Sequence, residues 1–453
     1  MPLDRLTEAT DLATSLPMQS PSRLVWSIAL PAMLTNVATA LFGLADMWVI
    51  GRLGDAAAQG AVELGAKFMM GLLIVFAFLR TATVALTAQA AGEGDHEEQS
   101  KILTRSVAVA VAIGAGLLLV RPWAVSAGLA LLEAKGEIAQ NARIYIDIRY
   151  WAGTAWLLSC ALSGWLIGQR RVRVILVIEV AANILHVALD LLFVLWAGWG
   201  IAGVATATAC SELFKLALLI AAIAREPAAS RALAAARWRS TWDGQALRKL
   251  FSLNRDLFLR TLLLTAAMAL LARSGAQQGP VVLAANGILF QIFMLSSLIV
   301  DGFESAAQVL CGEAKGRRDR GRFVIVVRTA FAWAFLTGLV IGTIYFFAGS
   351  VLAAGFSTNP DVISTTATYI GWTVLLAILG VFVSVFDGIF VGAGWTRAMV
   401  LTMAFAMAVY AGALHLAAPL GNHGVWLAFS LLFVVRALGQ LYLLPGLARR
   451  DFN

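Results

Sequence analysis

Residues 31–54 read PAMLTNVATALFGLADMWVIGRLG. The stretch is long enough to cross a bilayer, since about 20 apolar residues span roughly 30 Å of hydrocarbon. Asp46 lies inside it and Pro31 stands at its start. A carboxylate at the centre of a spanning helix costs on the order of 2.5–3.5 kcal/mol on insertion scales. A proline removes one backbone hydrogen bond and kinks the helix. A passive anchor needs neither, so the stretch predicts a helix that changes charge and shape in use.

The rest of the chain agrees with a polytopic membrane protein. Of its 453 residues, 60% are hydrophobic and 13% charged, too few polar groups to cover a soluble protein of this size. The 14 Trp and 24 Phe suit a large lipid-facing surface with interfacial anchors. A net charge of +8 could suggest nucleic acid, but the basic residues sit in short connections, where membrane orientation accounts for them. No nucleic-acid partner is expected. Cys160, Cys210 and Cys311 are odd in number and lie in apolar runs, which favours packing over disulfides. The first 20 or so residues lack the apolar core of a signal peptide, so the first spanning helix is expected to direct its own insertion.

Apolar runs separated by charged or Gly-rich breaks predict twelve transmembrane helices, from 24–50 to 423–446. The fold class expected is an all-α integral membrane protein of two pseudo-symmetric six-helix bundles. The divisions are an N-terminal segment over 1–23, a bundle over 24–224, a linker over 225–248, a second bundle over 249–446 and a tail over 447–453. Arg170, Arg171 and Arg173, the basic residues between Arg225 and Lys249, and those between Lys315 and Arg328 fall on one side. Arg52, Arg121, Lys135, Arg143 and Arg273 fall on the other. The basic side is expected to be cytoplasmic, with both termini on it. The halves are also related in sequence. GRLGDAAAQGAVELGAKF (51–68) aligns with RSGAQQGPVVLAANGILF (273–290), and GWLIG (164–168) with GIFVG (388–392). Six spans per repeat bring both halves into the membrane from the same side, as parallel repeats.

Ionisable residues inside spans are functional candidates. Glu63 and Lys67, Asp256 and Arg260, and Glu212 and Lys215 have spacings that allow neutralisation on one helix face. Asp46 and Asp190 have no such partner apart from the titratable His186. Asn183, His186 and Asp190 share one helix face at i, i+3 and i+7. Such a carboxylate can exchange a proton or hold a cation. Asp301 and Glu304 in DGFESAAQ, and Asp387 in VSVFDGIFVGAG, are candidates for a cavity or a gate. The four histidines show no metal-ligand spacing, so no metal site is expected. There is no ATPase motif, no arginine-repeat voltage sensor and no selectivity-filter loop. Uphill transport would therefore draw on an ion gradient, without a cofactor, and no enzyme activity is expected.

Several motifs together resemble the multidrug and toxic compound extrusion (MATE) family, in its bacterial DinF-like branch. They are ADMWVIGRLG in the first helix, NILHVALDLLFV followed by GIAGVATAT, SLNRDLFLRTLLL, VDGFESAAQVLCGEAKGRRDRG and FDGIFVGAGWTR. The resemblance covers nearly the whole chain. It implies export of cationic or amphipathic compounds from a bacterial inner membrane by antiport with H⁺ or Na⁺. It also implies a protonation network of Asp46, Asp190, Tyr145 and Thr208, with Asn183 and His186 beside it, and a hinge at Pro31. Asn36, Met47, Asp301, Glu304 and Asp387 are the candidates for lining the substrate cavity. A monomer in contact with membrane lipid and small drug-like substrates is expected. His186 departs from the family pattern, where an asparagine is frequent, and adds a second titratable group beside Asp190. The alternative within transport is a flippase for a lipid-linked or polysaccharide precursor, whose cavity would carry arginines for phosphate. Arg80 and Arg149 keep that alternative open.

Overall fold

The computed structural model describes residues 20–52, 54–132 and 135–452. Of the expected N-terminal segment 1–23, residues 1–19 lie outside the described residues. The first bundle comprises α1 (Pro21–Gly51), α2 (Ala56–Ile74), α3 (Phe78–Glu93), α4 (His96–Leu131), α5 (Gly136–Gly168), α6 (Val172–Asp190) and α7 (Gly200–Ile223). The second comprises α8 (Gly244–Ala276), α9 (Pro280–Gly316), α10 (Arg320–Phe356), α11 (Pro360–Gly392), α12 (Thr396–Leu416) and α13 (Asn422–Phe452). α2 and α3 form one rod, broken where the N–H groups of Phe76 and Ala77 reach back three residues instead of four, at 2.9 and 3.1 Å. Twelve rods result, six per half. Eleven are long and apolar enough to cross a membrane. α5 is equally long, with Glu137, Arg143, Asp147 and Arg149 in its first half and an apolar second half.

The repeat seen in the sequence is a packing device. Gly164 and Gly168 on α5 lie against the carbonyl oxygens of Arg80 and Val84 on α3. Gly388 and Gly392 on α11 lie in the same way against those of Glu304 and Gln308 on α9. All four pairs of positions are related by one offset, 388 − 164 = 304 − 80 = 224. Glycine at i and i+4 lets two helix backbones touch, the small-residue packing that joins helices where water cannot drive association. A side chain at any of these positions would separate them.

The linker is shorter than its expected range 225–248, because α8 already begins at Gly244. It is also strapped to α4. The Thr104 hydroxyl donates to the Ala232 carbonyl at 2.8 Å, and the Arg105 guanidinium donates to the Thr241 carbonyl at 2.5 Å and the Ser240 carbonyl at 3.3 Å.

The bundles meet at the end that gathers the basic connections. Gln89 donates to the Gly392 carbonyl at 2.8 Å, Lys249 donates to Gln89 at 3.3 Å and Gln308 donates to the Thr81 carbonyl at 2.7 Å. Arg170 pairs with Glu313, and Trp26 packs edge-on to Phe303 with centroids 5.2 Å apart. The bond from Asn36 to the Leu298 carbonyl, at 3.1 Å, crosses near mid-helix. No hydrogen bond or ion pair among the described residues joins the bundles in the outer half, over 37–51 of α1 and 280–297 of α9.

Candidate functional site

α1 carries the proline and the carboxylate that opened the reading. Ser20 caps it by accepting from the Arg23 N–H at 3.3 Å, and Pro21 occupies the first turn, where no N–H is needed. Pro31 lies inside, yet the helix runs on through it. The Thr35 hydroxyl donates to the Pro31 carbonyl at 2.8 Å, and that of Thr39 to the Thr35 carbonyl at 2.9 Å. Thr39 also donates to Glu179 on α6 at 3.0 Å. Two turns further along, Asp46 faces α6 again.

There the structure gathers three of the residues singled out from sequence. His186 Nε2 lies 2.8 Å from Asp46 Oδ1 and 3.2 Å from Asp190 Oδ2. The three ligand atoms lie within 4.8 Å of one another, and all three residues are buried. Asp190 ends the regular part of α6, which continues as a π-helical turn over Leu191–Trp196. Such widened turns recur at functional sites because they re-aim a side chain. The Tyr145 hydroxyl is 3.5 Å from Asp46 Oδ2, and Arg149 donates to that hydroxyl at 2.7 Å while lying over the tyrosine ring. The sequence offered Arg149 only as a cation for a phosphate-bearing substrate, not as a partner of Tyr145. Its signal was its place on the same face of α5 one turn after Tyr145.

Two carboxylates this close repel one another, and a positive charge or a proton between them relieves the repulsion. The candidates are an imidazolium, an additional proton or a metal ion. No metal-ligand spacing is visible along the chain, yet the fold assembles an Asp/His/Asp trio from two helices.

The other residues named from sequence for the first bundle are not part of this trio. The Thr208 hydroxyl donates to the Val204 carbonyl of its own helix at 3.0 Å, and the Asn183 amide to the Glu179 carbonyl at 2.9 Å. Met47 is half-buried among the side chains of the first bundle. Asn36 lines a narrow pocket with Thr35, Arg80 and Ser305, at the level where the bundles part.

The second half holds a different arrangement. Asp387 is buried and paired with both Arg260 and Arg436, and Gln440 donates to it at 3.2 Å. Asp301 accepts from Ser384 at 3.3 Å. Glu304 stands one turn further along α9. The local pairings expected from spacing hold only at Glu63–Lys67, 2.7 Å apart. Arg260 leaves Asp256 for Asp387, and Asp256 takes Arg255 at 2.8 Å and the Thr396 hydroxyl at 3.0 Å. Lys215 pairs with Glu179 on α6, at 3.1 Å. For Arg260 and Lys215 an acid on a neighbouring helix outcompetes the one on the same helix, because burial removes water as an alternative partner.

Comparison with known proteins places the chain in a family and its fold among solved structures. A family profile described as MatE matches residues 31–192 and 257–415. The chain is similar to the DNA damage-inducible protein F of Escherichia coli K12, 30% identical over 421 residues, which cover 93% of this chain and 91% of that protein. It is also similar to the probable multidrug resistance protein NorM of Rhizobium meliloti, 27% identical over 434 residues and 89% of each chain. A solved structure described as MATE in the bent conformation shares the fold with a TM-score of 0.87 at 20% identity, over 96% of this chain and 97% of that one. An outward-facing multidrug resistance MATE transporter of the MOP superfamily does so with a TM-score of 0.82 at 19% identity, over 95% and 96%.

Proposed function

The chain belongs to the MatE family of multidrug efflux transporters, and from that premise we propose that it exports cationic or amphipathic compounds in exchange for protons. It is a multi-pass membrane transporter and not an enzyme. The observation that carries the choice of proton is the position of His186. Its Nε2 lies within hydrogen-bond distance of both carboxylates, in the place a sodium ion would need. Sodium is a hard cation that prefers oxygen ligands, as other hard cations do. An imidazole nitrogen there favours a proton.

In this reading the basic end is cytoplasmic, both termini lie on that side, and the contacts around Gln89, Arg170 and Glu313 close the cytoplasmic face of an inner-membrane protein acting as a monomer. Protons enter from the opposite face. Uptake at Asp46 or Asp190 removes a charge that ties α1 to α6. α1 then bends near Pro31, where one backbone hydrogen bond is already missing, and the cleft changes shape and releases its drug. Protonation shifts the equilibrium only by its differential affinity for the two conformers. Asn36, Met47, Asp301 and Glu304 are the residues proposed to meet the substrate.

The test is flux in proteoliposomes with the two gradients imposed separately. A pH gradient should drive uptake of a fluorescent cation, a sodium gradient alone should not, and Asp46→Asn should abolish the pH-driven flux. Sodium-driven flux without a pH gradient would refute proton coupling. A second reading, a flippase for a phosphate-bearing lipid-linked precursor, is favoured by one observation. Arg80 lines the inter-bundle pocket, and its guanidinium has no hydrogen-bond or ion-pair partner among the described residues. Competition of drug binding by lipid phosphate, lost in Arg80→Gln, would support it.

A further inference from the structure

α6 and α7 run antiparallel, and between their lipid-facing sides lies a groove of about 530 Å³. Its walls are apolar, among them Val177, Ile178, Phe214 and Leu218, and it ends at Arg173 and Arg225. The two arginines come from the start of α6 and just past the end of α7, so they stand side by side at the basic end. Both are exposed, and neither guanidinium has a hydrogen-bond or ion-pair partner among the described residues. The nearest acid in sequence, Glu226, is already held by Arg171 at 2.9 Å. No acidic side chain lines the groove.

We propose that this groove binds an anionic phospholipid, with its phosphate between Arg173 and Arg225 and an acyl chain along the apolar wall. Two observations select the occupant. The cations sit at one end only, at the level where a helix leaves the hydrocarbon, which is where a lipid phosphate lies. The apolar wall on α6 then runs from Val174 to Ala181, about 11 Å at 1.5 Å per residue, and it faces lipid, with Val177 68% exposed. A free phosphate would use the arginines and leave the wall unused. A zwitterionic lipid brings its own cation and gains less from two unpaired guanidiniums. The same helix carries His186 and Asp190 towards the bundle interior, so a bound lipid would brace α6 against α7 from behind the coupling site.

The experiment uses the full chain purified in detergent, titrated with dioleoylphosphatidylglycerol, dioleoylphosphatidylcholine or inorganic phosphate. Binding is read by native mass spectrometry and thermal melting. Phosphatidylglycerol should be retained and raise Tm, phosphatidylcholine should do so weakly, and inorganic phosphate should have no effect. The double variant Arg173→Gln/Arg225→Gln should bind phosphatidylglycerol about 30-fold more weakly, from the loss of two surface cation contacts. Equal affinity for the two lipids, unchanged affinity in the double variant, or a full Tm shift from inorganic phosphate alone would each overturn the proposal. Should the double variant fail to fold, Ala181→Trp fills the groove with both arginines intact, and retained affinity there overturns it equally. No transport is measured, so the result stands apart from the proton-coupling reading.

Discussion

Asp387 is where a cavity role and a structural role make opposite predictions. The substitution is Asp387→Asn, which keeps shape and removes charge. In the wild type the carboxylate is 1% exposed and bound to Arg260 on α8, Arg436 on α13 and Gln440 on α13. Arg436 is 4% exposed. Neutralising Asp387 leaves two guanidiniums facing each other in a low-dielectric interior. Removing one partner of a buried pair costs up to about 3–5 kcal/mol when the charge left behind has no compensation, and the nearby Glu304 and Asp301 offset only part of it here. In a chain of this size that is a fall in Tm of about 3–5 °C. Melting of the purified protein, followed by tryptophan fluorescence, is the assay. The paired change Asp387→Leu/Arg436→Met, which removes both members and keeps apolar volume, should recover most of the loss. If Asp387→Asn melts like the wild type yet no longer transports, Asp387 exchanges ions or meets substrate, and its role as an anchor is refuted.

Three further outcomes follow from the first bundle. His186→Gln leaves carboxylates within 4.8 Å of each other and no cation between them, a repulsion of about 3.5 kcal/mol at an effective dielectric of 20. Proton uptake relieves it, so the pH profile of drug flux should change in the variant; an unmoved profile would separate His186 from the coupling site. Arg149→Gln removes the charged donor to the Tyr145 hydroxyl, and a bond of that class contributes about 1.5–3 kcal/mol. Proton-driven flux should fall at least about tenfold while Tm falls by only about 2–3 °C, and wild-type flux would make Arg149 a bystander. Pro31→Ala restores a backbone donor inside an already continuous helix, so Tm should rise or hold while transport slows; wild-type transport would remove Pro31 as the hinge.

The sequence was informative where physical cost is local. A charge in an apolar run is expensive wherever the run packs, so Asp46 and Asp190 could be singled out without a structure. Glycine at i and i+4 has one main use between membrane helices, so GWLIG and GIFVG marked the repeat before their contacts were visible. Ion pairing was less legible. Spacing along one helix suggested Asp256–Arg260 and Glu212–Lys215, but Arg260 and Lys215 are drawn to acids on other helices. Which helices are neighbours is a property of the packed bundle, and nothing in the one-dimensional spacing reports it. Arg149 was read only as a candidate for phosphate, for the same reason. Its partner Tyr145 is local, but its relevance comes from Asp46, on a different helix.

The two bundles share a scaffold and differ in charge at matched places. At the offset of 224, Arg80 of the first half corresponds to Glu304 of the second, and both present their carbonyls to the same glycine position. The buried acids differ as well. Asp46 and Asp190 share an imidazole, while Asp387 is held by two arginines. An acid clamped by two fixed cations gains little from a proton, so exchange in this reading is confined to the first half. The second half must then learn of it through a shared element, and α1 has that position. It is bonded to α6 at Asp46 and Thr39, and to α9 of the other bundle through Asn36. Ten residues separate Asp46 from Asn36, about 15 Å of helix, and Pro31 lies five residues beyond. A charge change at Asp46 can therefore move the inter-bundle contact as the end of one rigid rod. Cutting the bond at Asn36, with Asn36→Ala, should leave proton binding at the first bundle intact while uncoupling it from drug release, seen as a pH-gradient leak without stoichiometric export. Tight coupling in that variant would mean that the signal crosses elsewhere.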